Sequence, residues 1–268
     1  MCACLVAASL GQAQTVLLHD GNSDATVNLG GPGTLGMNSW QINGQEQLAQ
    51  QWFWYRLGAT QQRTIDQISA PSILNNPYSL SATYTDNANH FSLTITYQLS
   101  GGTPGGSDWT SDINETITVN NLSASPLDFH FYQYSDFRLA GTSGNESVNI
   151  FQDPNGFYTK ATVTKGLNQV SETIDQPHAN RAEAALAPFT LNRLNSTPAL
   201  NLNNTLTAGP DPSADATWAY QWDFTITGNS SVDVLKDKRL SVAPIPEPGT
   251  AGLCALGLVL FALRRKRS

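Results

Sequence analysis

Residues Phe91, Leu93, Ile95, Tyr97 and Leu99 alternate with Ser92, Thr94, Thr96 and Gln98. A period of two sustained this long describes a half-buried β-strand. Trp218, Tyr220, Trp222, Phe224 and Ile226 repeat the pattern, with Ala219, Gln221, Asp223 and Thr225 between them. Leu127, Phe129 and Phe131 oppose Asp128, His130 and Tyr132, and Phe157, Thr159, Ala161 and Val163 alternate with Tyr158, Lys160, Thr162 and Thr164. Weaker strand signals lie at 15–18, 25–29, 51–57, 78–84, 113–119, 147–151 and 232–235.

Turn chemistry separates these runs. Asp20-Gly21-Asn22, Gly30-Gly31-Pro32-Gly33, Asn75-Asn76-Pro77, Asp153-Pro154-Asn155-Gly156 and Gly209-Pro210-Asp211-Pro212 supply the fixed or positive φ that a reversal needs. Gly101 to Ser107 reads as a loop between two strands. About ten to fourteen short strands with this punctuation predict an all-β, antiparallel β-sandwich, of jelly-roll or supersandwich-like form. One helix is expected, over His178 to Ala187, where Ala is abundant and Pro188 would end it.

The last residues follow a different pattern. Pro246-Glu247-Pro248 precedes an uncharged stretch of 15 residues, Gly249 to Leu263, which leads to Arg264, Arg265, Lys266 and Arg267. As a helix this stretch would be about 22 Å long against a hydrocarbon core of about 30 Å, a short transmembrane helix. The basic cluster would hold the C-terminus in the cytoplasm. The three parts in this order resemble the PEP-CTERM sorting signal of Gram-negative bacteria. The resemblance covers residues 244–268. It implies a partner, exosortase, a membrane-embedded protease or transpeptidase associated with exopolysaccharide export, for which this chain would be a substrate. It also implies contact with the membrane through the C-terminal helix before processing, then a place at the cell surface or in the extracellular matrix. Residues 1–13 read as a secretory signal peptide. Leu5 to Leu10 forms its apolar core, and Ala13 is the expected cleavage point. It lacks a basic n-region, which an earlier translation start would supply.

Between these ends lies an expected ectodomain, 14–243. The three cysteines, Cys2, Cys4 and Cys254, all fall outside it, which excludes disulfide scaffolding and a cysteine nucleophile there. Setting the tail aside leaves 10 basic against 20 acidic residues, which argues against a nucleic-acid partner.

Local motifs for chemistry are sparse. Asp20, Asn22 and Asp24 have the opening spacing of a calcium loop, but its Gly and Glu positions hold Ala25 and Gly31, so the segment reads as an Asx-rich turn. His19, His90, His130 and His178 share no metal-ligand spacing, and no G-x-S-x-G elbow occurs. No catalytic, metal or cofactor site is expected. Trp52-Phe53-Trp54-Tyr55 would turn two rings to each side of a strand. Core packing is the first reading. The other is a sugar-stacking platform of Trp52 and Trp54 with Tyr132 and Tyr134. The expectation is therefore a non-catalytic, exported surface protein associated with polysaccharide, and the alternative is a carbohydrate-active lyase or hydrolase of sandwich fold.

Overall fold

The structure, a computed structural model, describes residues 14–105 and 109–244. Ala13 and the signal segment, Pro246, Glu247, Pro248, the stretch 249–263, and Arg264, Arg265, Lys266 and Arg267 lie outside the described residues. Two antiparallel sheets of nine strands each face one another. The first runs in the order β1 (Thr15–Asp20), β2 (Ser23–Asn28), β3 (Gly36–Ile42), β5 (Leu48–Leu57), β11 (Leu127–Phe137), β17 (Ala216–Ile226), β15 (Arg181–Leu186). Two short strands join it, β4 (Gln45–Glu46) on β3 and β6 (Arg63–Thr64) on β5. The second runs β16 (Thr207–Ala208), β12 (Ser147–Gln152), β13 (Tyr158–Lys165), β14 (Asn168–Gln176), β18 (Ser231–Ser241), β10 (Thr110–Asn121), β9 (Phe91–Gly101), β8 (Ser79–Asp86), β7 (Ser72–Asn76). The eighteen strands among the described residues exceed the eight of a jelly roll and make a larger sandwich.

Among the described residues, which stop short of 249–263, the transmembrane helix expected beside the sandwich is not found. Among the described residues no helix is long and apolar enough to cross a membrane. The one α-helix among them, α1 (Phe189–Leu194), has six residues. A second correction concerns 178–187, where a strand replaces the expected helix. Ala182 pairs with Tyr220 and Ala184 with Trp218, so small side chains sit beside large rings at the sheet edge. Tertiary fit overrides the helix preference of alanine there. Pro188 stands before α1 and does not end a helix.

The interior is aromatic. Phe53 stacks on Phe131 at 5.3 Å, Phe131 meets Trp222 at 5.8 Å, and Tyr55 stacks on Phe129 at 6.0 Å. Phe53 reaches Tyr97 of the second sheet at 6.5 Å. Such pairs add to the transfer free energy of the buried area.

Four charges lie inside this apolar space. Glu115, Glu172, Lys236 and Lys238 are all at most 2% exposed. Glu115 opposes Lys236 across β10 and β18, and Glu172 opposes Lys238 across β14 and β18. Each Glu accepts from Lys236, which is 3.2 Å from Glu172 Oε1; Lys238 donates to Glu115 and stands 3.2 Å from the same Glu172 oxygen. From the first sheet, Gln133 donates to both Glu172 oxygens at 2.7 and 2.8 Å, Trp218 Nε1 to Glu172 at 2.8 Å, and Gln51 to Glu115 at 3.3 Å. Burial opposes the charge on Glu172, but the two ammonium groups and these hydrogen bonds outweigh it and hold its carboxyl well below the ordinary range. Removing one partner strands a charge in a dry interior. Lys238→Met is expected to cost about 3–5 kcal/mol in urea unfolding, more than replacing all four residues by apolar side chains of similar volume. Equal losses in the two variants would argue against the coupling.

Candidate functional site

The strands of the first sheet turn alternate residues away from the interior, and these outward residues align in rows across β5, β11, β17 and β15. One row is Arg56, His130 and Asp223. The next is Trp54, Tyr132, Gln221 and Arg181, and the third is Trp52, Tyr134, Ala219 and Glu183. Trp52, Trp54, Tyr132 and Tyr134 therefore share a face, but they are at most 2% exposed. The segment 187–205, with α1, lies over Trp54 and Tyr132. Trp54 Nε1 donates to Asn195 Oδ1 at 3.0 Å, the Tyr132 hydroxyl to the Leu200 carbonyl at 2.9 Å, and the Leu202 amide to Gln221 Oε1 at 2.9 Å. Glu183 anchors this strap by accepting from Thr190 at 2.6 Å, from the Asn203 amide at 2.9 Å and from Arg193. All four rings are buried, with Trp54 and Tyr132 tied to the strap, so they make no open platform.

The first row lies at the margin of this cover. His130 Nδ1 lies 2.5 Å from Asp223 Oδ1, and His130 Nε2 lies 3.3 Å from Asp128 Oδ1. Gln221 Nε2 donates to Asp223 Oδ1 at 2.7 Å and to Asn201 Oδ1 at 2.8 Å. Arg56 gives its Nε to Tyr132 at 2.7 Å and its Nη2 to Asn201 at 3.0 Å, which ties the row to the strap. Partial burial works to raise the Asp223 pKa. The bonds from His130 and Gln221, with the charges of His130 and Arg181, more than offset it and hold the carboxyl below its ordinary value.

Beside this row opens a groove of about 300 Å³, lined by Phe157, Pro177, His178, Asn180, Asp223 and Phe224. Asn180 Oδ1 accepts the Asp223 amide at 2.8 Å, and Trp222 Nε1 holds the Pro177 carbonyl at 2.9 Å. His178 Nδ1 is 3.1 Å from Asp153 Oδ2. The other Asp153 oxygen accepts the amides of Asn155 at 2.8 Å and Phe157 at 3.0 Å, so one carboxylate shapes the turn and orients the imidazole. Phe157, read from sequence as a core residue, is 42% exposed beside the groove. A register shift in the pairing of β12 with β13, between Phe151 and Gln152, leaves Tyr158 as the buried ring at this end.

Other sequence candidates lie elsewhere. In the turn between β1 and β2, Asp20 accepts the Gly101 amide and Asn22 the Gly102 amide, each at 2.8 Å, so both oxygens fasten the turn to the second sheet. His19 pairs with Asp24 across the hairpin at 2.8 Å. His90 occupies a turn at φ 54°, and its carbonyl accepts the Leu122 amide. No group of three His, Cys, Asp or Glu among the described residues could hold a metal ion.

At the opposite end of the outward face Asp136 crowds against Asp215 and Glu146. Burial, then the charge of Asp215, pushes its carboxyl up to about 7, with Arg138 pulling the other way. One of its oxygens is buried without a hydrogen bond.

No protein-family model matches the chain, and no curated protein matches it in sequence. Solved structures match its fold. A galactose mutarotase-like protein from Lactobacillus casei is 12% identical, with TM-score 0.52, over 85% of this chain and 100% of its own. A galactose mutarotase related enzyme from Lactobacillus acidophilus is 7% identical, with TM-score 0.54, over 86% of this chain and 98% of its own. A bacterial glucoamylase solved with acarbose is 9% identical, with TM-score 0.57, over 92% of this chain. This chain spans 36% of that glucoamylase. The described residues thus form a mutarotase-like sandwich. Two of the proteins that share this fold are named as enzymes, a galactose mutarotase related enzyme and a glucoamylase, which corrects the expectation that a sandwich of this kind is a non-catalytic module.

The Asp136 geometry has a measurable consequence. Between about pH 4 and pH 7 the folded chain keeps a proton on Asp136 that the unfolded chain has released, so this group lowers stability as pH rises through that window. Asp136→Asn is expected to remove this dependence. Above the window the variant should be the more stable chain by up to about 4 kcal/mol, with little difference below it, as read by urea unfolding on either side.

Proposed function

We propose that the protein is a carbohydrate-active enzyme that moves protons on a saccharide held in the groove beside β17. The observation that carries this reading is one juxtaposition. His178, oriented by Asp153, and Asp223, held by His130, line the same groove as the exposed ring of Phe157. A ring face suits the C–H side of a sugar, and fixed acid and base groups serve proton transfer at its oxygens. A volume of about 300 Å³ stands at the small end of ligand sites and suits one sugar residue at a time. The names of the fold neighbours, two mutarotase relatives and a glucoamylase, support the substrate class.

The reaction would occur at the anomeric centre or the glycosidic bond, with His178 and Asp223 as the groups that touch the sugar. The purified protein would be tested by polarimetry on free aldoses and by release of reducing or unsaturated ends from polysaccharides. His178→Gln and Asp223→Asn should each lower the rate by about 10²–10⁴-fold with the fold unchanged by circular dichroism. Full activity in the double variant would refute the assignment, and inactivity of the parent on every sugar tested would refute the enzyme.

We also propose that this chemistry takes place outside the cytoplasm after exosortase processing. The support is the resemblance of residues 244–268 to a sorting signal. In a host carrying exosortase, mass spectrometry should find a mature chain lacking Arg264 to Arg267. An intact C-terminus at steady state would exclude the processing.

A further inference from the structure

We infer that the groove takes an acidic sugar residue whose carboxylate is bound by Arg181, an inference that rests on the saccharide reading above. Arg181 opens β15 at the edge of the first sheet, directly opposite Gln221 and next in sequence to Asn180, a groove residue. Through Gln221 it continues the row of Tyr132, next to the row that holds Asp223 on the same face.

The guanidinium is half-buried and has neither a hydrogen-bond nor an ion-pair partner among the described residues. The acids around it are committed elsewhere. Asp223 is taken by His130 and Gln221, Asp153 by His178, and Glu183 by Arg193 and Thr190. Arg56, Arg138, Arg193 and Arg239 all have acceptors. Arg63 has none either, but it is exposed to water on β6, whereas Arg181 is half-buried.

A fixed cation held partly out of water, with its donors unused, is an incomplete site. The planar fork of arginine matches a carboxylate in two parallel hydrogen bonds. A carboxylate fits better than a phosphate, because Asp223 and Asp153 are close and one guanidinium would have to offset a dianion alone. Neutral sugars would leave the cation as it is.

The experiment is calorimetric titration of the full chain with galacturonate and glucuronate oligosaccharides and with their carboxyl-reduced, neutral counterparts. The acidic ligands should bind about tenfold more tightly or better. Arg181→Met should abolish that preference while leaving the weaker neutral binding in place, and Arg181→Lys should restore part of it, since lysine offers the charge without the fork. Equal affinity for acidic and neutral ligands, or an unchanged preference in Arg181→Met, overturns the role of Arg181 and leaves the saccharide site standing. Tighter binding of a sugar phosphate than of either uronate overturns the carboxylate assignment. If no saccharide of either kind binds, the saccharide reading itself fails and the inference falls with it.

Discussion

Four buried charges between the sheets fix the register on which the outward face depends. Glu115, Glu172, Lys236 and Lys238 all come from adjacent strands of the second sheet, β10, β18 and β14. The two glutamates also accept from the first sheet, from Gln51 on β5, Gln133 on β11 and Trp218 on β17. A buried ion network of this kind adds little net stability over apolar packing. What it can do here is penalise misalignment. A slip of one residue in β11 would turn Gln133 outward and bring Tyr132 or Tyr134 against the charges. An aromatic interior alone would tolerate that exchange far better, since one ring can replace another.

The same alternation builds the site. With Gln51, Phe53 and Tyr55 turned inward, Trp52, Trp54 and Arg56 must face out. With Phe131 and Gln133 inward, His130 and Tyr132 must face out. The outward face is then too apolar to leave open, and segment 187–205 covers it with Asn195, Leu200, Asn201 and Leu202. The cover ends where the polar row begins. Arg56, His130 and Asp223 stand at its margin, and the groove lies beyond them at the sheet edge. A chemical site appears where the register supplies polar side chains and the strap stops.

Much of the sandwich could be read from the chain, and the two misses at its centre, in β18 and β14, have one cause. The strands β9 and β17 are plain because their inward residues are all apolar. The signal for β18 stops at Leu235, although the strand continues to Ser241, because its next inward residues are Lys236 and Lys238. β14 escapes notice because Glu172 stands inward between Val170 and Ile174. Periodicity assumes that buried means apolar, and the charge network breaks that assumption where it matters most. The site was less legible still. His130 and Asp223 are 93 residues apart, and only the pairing of β11 with β17 joins them. Phe157 looked like a core residue because the shift in β-pairing beside it leaves no mark in the sequence. The shared face of Trp52, Trp54, Tyr132 and Tyr134 could be anticipated from alternation; the strap above it comes from distant chain and could not.

The two histidine–aspartate pairs at the groove are not equivalent, and their surroundings divide the labour between them. Both ring nitrogens of His130 face carboxylates, Asp223 on one side and Asp128 on the other. With both sites engaged, this imidazole has no nitrogen left for a substrate. Its effect passes through Asp223, whose carboxyl it helps to keep ionised. His178 has one partner, Asp153, on Nδ1, and its ring lines the groove. Anchoring one nitrogen while the other stays available is what proton exchange with a bound ligand requires. On the proposed function His130 would be a positioning residue, and a sugar would meet a carboxylate from β17 on one wall and the imidazole of His178 on the other. That asymmetry follows from the strand register. His130 is hemmed in because Asp223 stands opposite it on β17 and Asp128 two residues before it on β11, whereas His178 stands on the turn before β15 with Asp153 as its acid.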